Sequence, residues 1–160
     1  MKKKLIFICL FLIIPIKAFA LIEVDITRGN LNPLPLAVSP LSIDENSKKS
    51  FEKILDKENI GSEISIIVEN NLRTSGLFNP LSKDAFLQAP DIANLKPRFE
   101  DWNLIKAQAL ITGKVNYVDD KLRVEFRLWD VLAAKEMMAL AFTTVPNNWR
   151  RVGHIISDKV

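Results

Sequence analysis

The amino-acid sequence predicts an α+β fold: a mixed or antiparallel β-sheet of about five strands, with two to three helices packed on one face. Three observations carry this. Residues 121–130 alternate apolar and charged side chains, the period of a half-buried strand. Ile60, Ile64, Ile67, Val68 and Leu72 fall on one helical stripe. Two further strand-like runs flank residues 121–130 and make a meander with them.

The chain starts with a segment meant for removal. Lys2, Lys3 and Lys4 form a positive region, residues 5–16 an apolar one, and Ala18-Phe19-Ala20 an A-x-A cleavage site that places the new N-terminus at Leu21. The apolar run is about 12 residues, and a membrane-spanning helix needs roughly 20. Residues 1–20 therefore read as a secretory signal peptide with its cleavage defined by Ala18 and Ala20. The chain is therefore expected to leave the cytoplasm.

Cleavage changes the balance of charge. The whole chain holds 22 Lys+Arg against 19 Asp+Glu. Lys2, Lys3, Lys4 and Lys17 leave with the signal and no acid does, so 18 basic residues remain against 19 acidic. The isoelectric point of 9.0 belongs to the signal and does not argue for a nucleic-acid partner. Cys9, the single cysteine, leaves as well, so neither a disulfide nor a thiolate ligand set is expected.

From Leu21 the chain alternates again. Ile22, Val24 and Ile26 share one face of a strand; Glu23, Asp25 and Thr27 share the other. Arg28-Gly29-Asn30 interrupts the pattern. Such a segment either is the first strand of its own sheet or adds to the open edge of another protein's sheet. Residues 35–38 are apolar between Pro33 and Pro40, and the prolines confine them to a short or edge strand.

Residues 42–58 are rich in charge. Phe51, Ile54 and Leu55 predict an amphipathic helix in their second half, after an exposed loop that lasts to Ser50. A long helix follows over residues 62–75, with Ser62 as its cap and Gly76 as the left-handed residue past its end. Leu77-Phe78 is expected to return to the core and Asn79-Pro80 to turn the chain. Residues 84–97 are ambiguous. A short helix over residues 99–107 points Phe99, Trp102 and Ile105 inward.

Residues 109–118 and 121–130 read as a hairpin about Asp119-Asp120. Leu122, Val124, Phe126 and Leu128 form the core face of its second strand, opposite Lys121, Arg123, Glu125 and Arg127. Residues 137–145 add a third strand. A last helix starts at Asn148, with Trp149, Val152, Ile156 and Val160 on one stripe. The chain stops at the last apolar residue of that helix, and more protein is expected to follow.

Catalytic equipment is hard to find. His154 is the only histidine, and no H-x-x-x-H or C-x-x-C pair accompanies it. Asp158 lies four residues on and is placed to pair with it. The five glycines form neither G-x-G nor G-K-[ST]. No cofactor is implied. Trp102, Trp129 and Trp149 occupy core-like positions.

Several phrases carry a family resemblance: Leu72-Arg73-Thr74-Ser75-Gly76-Leu77-Phe78-Asn79-Pro80-Leu81, then Trp102, then Ala109-Leu110-Ile111-Thr112-Gly113-Lys114-Val115, then Leu128-Trp129-Asp130, then Trp149-Arg150-Arg151-Val152-Gly153-His154-Ile155-Ile156-Ser157-Asp158-Lys159-Val160. In order and spacing they resemble the N-terminal domain of the TolB family over essentially all of the chain after the signal. The resemblance implies a non-enzymatic component of the Tol–Pal envelope system, which supports outer-membrane integrity and cell division and is exploited by some bacteriocins. It implies that an N-terminal arm, here Leu21, Ile22, Glu23, Val24, Asp25, Ile26, Thr27, Arg28 and Gly29, binds the C-terminal domain of TolA. Domain boundaries follow: signal 1–20, arm 21–30, α/β domain 31–160. The family's C-terminal propeller, which binds Pal, has no counterpart in these residues, and the charged stretch 42–58 is longer than the family's loop. The alternative reading from the residues alone is a periplasmic enzyme or small-ligand carrier on an α+β scaffold.

Overall fold

The structure, a computed structural model, describes residues 32–160. The signal peptide, Ala18, Ala20 and the arm at 21–29 lie outside the described residues. What is described is a mixed sheet of six strands with five α-helices, the expected α+β class.

Strand β1 (Leu34–Val38) lies between β3 (Phe78–Pro80) and β4 (Ala109–Val118), parallel to both. It is short, as Pro33 and Pro40 require, but it is an interior strand and not an edge. Pro35 is tolerated there because its nitrogen faces the point where β4 has yet to begin. Its carbonyl accepts from Gln108, one residue before β4 (2.9 Å). β2 (Ser42–Ile43) resumes the same side of β4, pairing with Lys114 and Val115. Ser39-Pro40-Leu41 bridges the gap, and buried Ser65 supplies the missing ladder partner. Its hydroxyl oxygen accepts from the Leu41 N–H at 3.0 Å and lies 3.1 Å from the Ser39 carbonyl.

Helix α1 (Glu45–Leu55) follows at once, so the expected loop before Ser50 is instead strand and helix. Asp44 explains the early start: its carboxylate accepts from the N–H groups of Asn46 and Ser47 and from the Ser47 hydroxyl. Helix α2 (Ile60–Thr74) has the predicted stripe, with Ile60, Ile64, Val68 and Leu72 all buried. Its cap is Asn59, not Ser62; the Asn59 side chain accepts from the Ser62 N–H at 3.0 Å. Gly76 takes the left-handed conformation past its end, φ +73°.

Leu77 is exposed rather than buried, and Asn79-Pro80 belongs to strand β3 rather than to a turn. Leu77 and Leu81 bond to β1 through their backbones, so the nitrogen of Pro80 between them faces the sheet's outer edge, where no donor is needed. Helix α3 (Pro90–Leu95) lies in the ambiguous region, and α4 (Phe99–Leu104) is the expected short helix, ending three residues before Ala107.

The meander agrees with expectation. β4 and β5 (Lys121–Asp130) pair in register from Ala109↔Asp130 to Val118↔Lys121. Asp119 and Asp120 have φ of 49° and 58°, a type I′ turn. β6 (Lys135–Thr144) pairs antiparallel with β5, with a register shift beside Leu128 and Trp129. Helix α5 (Trp149–Lys159) closes the described chain.

The sheet has a core on each face. On one, Phe51 of α1, the stripe of α2, and Trp149, Val152 and Ile156 of α5 pack on Leu36, Val38, Ile111, Val115, Val124 and Phe126. These are the helices expected on one face. The opposite face carries a second, smaller core that the sequence did not reveal. There Ala93 of α3 and Trp102 of α4 cover Ala37 and Leu110. Gln88 ties this layer together, its Oε1 accepting from Trp102 Nε1 at 2.7 Å and from the Arg98 N–H at 3.0 Å. The β5–β6 end of that face keeps the charges that the strand pattern predicted.

Candidate functional site

The side chains with chemical potential gather at three open grooves. The first, about 460 Å³, lies where the ends of α2, α5 and the start of β3 meet, lined by Asn71, Leu77, Phe78, His154, Asp158 and Val160 among others. Here Asn71 Nδ2 donates to His154 Nδ1 at 2.8 Å and to Ser157 Oγ at 3.1 Å. An amide nitrogen only donates, so the neutral imidazole carries its proton on Nε2. The partner of His154 is therefore Asn71 on the neighbouring helix, not Asp158 on its own. Ser157 Oγ donates to the Gly153 carbonyl (2.9 Å). Histidine and serine are thus each held by Asn71 and not by one another, which is helix–helix packing rather than a nucleophile facing its base.

The second groove, about 270 Å³, is lined by Ser42, Ile43, Asp44, Asp91, Asn94, Lys114 and Asn116. Asp44 caps helix α1 here. The Ser47 hydroxyl and backbone N–H hold its pKa below the ordinary aspartate range, against a smaller opposing effect of burial. That is the signature of a helix cap. Among the described residues no group of three or more His, Cys, Asp or Glu side chains is placed to hold a metal ion.

The third groove, about 350 Å³, opens between β6 and α5 and is lined by Ala141, Phe142, Thr143, Thr144, Asn148, Arg151, Val152 and Ile155. Beside it runs β6, the last strand of the sheet among the described residues. Behind β6, on the face without α5, Glu125 sits between Arg123 (3.1 Å) and Lys114 (3.6 Å). Burial raises its pKa, and the two cations outweigh that and bring it below the ordinary value. Arg127 pairs with Glu136 at 3.2 Å and reaches Asn94 at 3.4 Å. Tyr117 donates to Asp120 across the hairpin end, which raises the pKa of the phenol.

None of these residues belongs to the site the sequence singled out, since Leu21–Gly29 as a segment lies outside the described residues. The β6 edge escaped sequence reasoning, although one signal was present: residues 137–146 contain no charge. Among the described residues no helix is long and apolar enough to cross a membrane.

The comparisons with known proteins agree with one another. Residues 22–137 match the family model of the TolB amino-terminal domain, more than half of the chain. Over 151 residues, 94% of the chain, it is 84% identical to the Tol-Pal system protein TolB of Pelagibacter ubique (strain HTCC1062), and it spans about a third (34%) of that relative's length. Among solved structures it resembles TolB from Acinetobacter baumannii, with a TM-score of 0.60 at 21% identity over 79% of this chain and 27% of the other. It also resembles PelC from Paraburkholderia phytofirmans, with a TM-score of 0.51 at 16% identity over 78% of this chain and 86% of the other. At those identities the two structures speak for the fold alone. The chain belongs to the TolB amino-terminal domain family.

Proposed function

We propose that this chain is a non-catalytic interaction module of the Tol–Pal envelope system, exported to the periplasm by residues 1–20. The observation that carries the reading is its 84% identity to a Tol-Pal system protein. Cleavage after Ala20 frees Leu21, and residues 21–29 become an arm that TolA takes up as an added strand. Ile22, Val24 and Ile26 fill pockets on one side of the TolA C-terminal domain's sheet, while the backbone supplies the ladder. Glu23 and Asp25 stay at the rim. Through that contact the module contributes to outer-membrane integrity and to division. Pal binding, which the family resemblance attaches to the propeller, is not assigned to residues 1–160.

A pull-down from envelope extract tests this, with residues 21–160 and with residues 30–160 as baits and an antibody to TolA as the readout. TolA is expected with the first bait and not with the second. Equal recovery by both baits, or by neither, contradicts the proposal.

A further inference from the structure

The two edges of the sheet are built differently. The β3 edge is three residues long and carries Pro80. The β6 edge is ten residues long. Edges left open in natural proteins are guarded by charge, proline or a bulge, because unpaired main-chain groups are a template for another strand. β6 has charges only at its start, Lys135 and Glu136, beside the register shift; residues 137–146 have none.

Hairpin geometry says which groups of β6 pair with no described strand. The two-residue turn makes Val118↔Lys121 a hydrogen-bonded pair, so odd residues of β5 bond to β4 and even ones to β6. Val124↔Phe142 and Phe126↔Leu140 are then the bonded pairs of β5 and β6. The N–H and C=O groups of Ala139, Ala141 and Thr143 point away from the sheet.

The two faces beside that edge differ in chemistry. On the helix side, Met138 and Phe142 pack against the main core, Leu140 between them is 37% exposed, and the groove against α5 continues the apolar strip. Its one charged lining residue is Arg151. On the other side, Ala139, Ala141 and Thr143 are small and uncharged. Behind them on β5, opposite Thr143 and Ala139, stand Arg123 and Arg127. Beside the edge, Lys121, Arg123 and Arg127 share this face with Glu125 and Glu136, three cations to two acids; farther from it, Lys114 pairs with Glu125 and shares its groove with Asp44 and Asp91.

We propose that β6 is an acceptor edge for an extended segment of a protein partner that alternates aliphatic and acidic residues. The aliphatic side chains cover Leu140 and the groove against α5. The acidic ones lie across Ala139 and Ala141 and meet Arg123 and Arg127. This goes beyond the proposed function, in which the chain gives a strand; here it takes one. The small residues on β6 leave the arginines room to reach over, and that complementarity selects acidic over basic strands.

The probe is a fluorescein-labelled octapeptide of alternating valine and glutamate, titrated by anisotropy against residues 21–160. A valine–lysine octapeptide is the control. Saturable binding is expected, at least tenfold tighter for the glutamate peptide. Arg123→Glu should remove that preference, and Ala141→Pro, which deletes an outward-facing donor, should weaken binding at least tenfold. Should Ala141→Pro unfold, a glutamate peptide N-methylated at alternate residues reads the same ladder without changing the protein. Equal affinity for the two peptides, no binding, or undiminished binding of the N-methylated peptide overturns the proposal. So does binding to residues 30–160 but not to residues 21–160, which would give the edge to the chain's own arm. TolA takes no part in this titration, so its outcome is independent of whether the arm binds TolA.

Discussion

Gly61 lies directly beneath the carbonyl of Leu41. A methyl group added at Gly61 would land on that oxygen, and a backbone carbonyl cannot swing aside as a side chain can. The first turn of α2 is thereby pressed against the link between β1 and β2, where Ser65 repairs the broken ladder. Alanine has the better helix propensity by about 1 kcal/mol, and overpacking costs about 1–3 kcal/mol or more. Gly61→Ala should therefore destabilise the domain in a urea titration despite lying in a helix. A stabilised variant would show that α2 can move away from the link.

The register of β5 makes a sharper contrast. Phe126 is fully buried and stacks on Phe142 with ring centroids 6.1 Å apart. Phe126→Ala should cost about 3–5 kcal/mol. Arg127, one residue on and on the other face, keeps a partly exposed ion pair with Glu136. Arg127→Ala should cost less than about 1 kcal/mol. Denaturant midpoints must rank the two variants in that order.

Gln88 is buried and accepts from both Trp102 Nε1 and the Arg98 N–H. Gln88→Leu leaves Trp102 Nε1 without a partner inside the second core, at about 1–3 kcal/mol, and takes away the acceptor of the part-buried Arg98 N–H. Thermal unfolding should show the loss. Trp102 fluorescence should shift as the layer of α3 and α4 loosens. A Gln88→Leu protein as stable as the parent would mean that this layer contributes little.

Asp44 gives a dependence on pH with a definite sign. Its pKa is lowered in the folded protein, chiefly by the Ser47 hydroxyl. The stabilisation is complete above the ordinary aspartate value of 3.8 and is lost as pH falls through the lower folded value. Asp44→Ala should cost about 1 kcal/mol at neutral pH, the usual contribution of a helix cap. That difference should shrink towards zero in strong acid. A difference that stays constant with pH would exclude the charged cap.

What could be read from the sequence was what repeats with a period. The alternation of Leu122, Val124, Phe126 and Leu128 placed β5 residue for residue, and the stripe from Ile60 to Leu72 placed α2. Asp119-Asp120 placed the hairpin. Contacts made by isolated residues were not legible. The layer of α3 and α4 rests on Ala93, Trp102 and Gln88, which form no stripe. The start of α1 depends on Asp44, which looks like one more charge in a charged stretch. β3 is three residues long and contains Pro80, too little for a strand pattern. His154 pairs with Asn71, 83 residues away, and no local spacing announces that. The arm could be read as a strand pattern alone. The β6 edge was visible only as an uncharged run, whose meaning depends on its being the last strand of the sheet.

The central claim, that residues 21–29 are the part of the chain that TolA binds, is tested most directly by calorimetric titration of a TolA C-terminal domain into residues 21–160 and residues 30–160. Both described cores lie within residues 34–160, so the shorter chain should keep the circular dichroism and melting behaviour of the longer one. The account predicts saturable heat for the longer chain and none for the shorter. Val24→Pro, which removes a ladder donor, should behave like the deletion. Unchanged affinity in a folded 30–160 chain would contradict the claim.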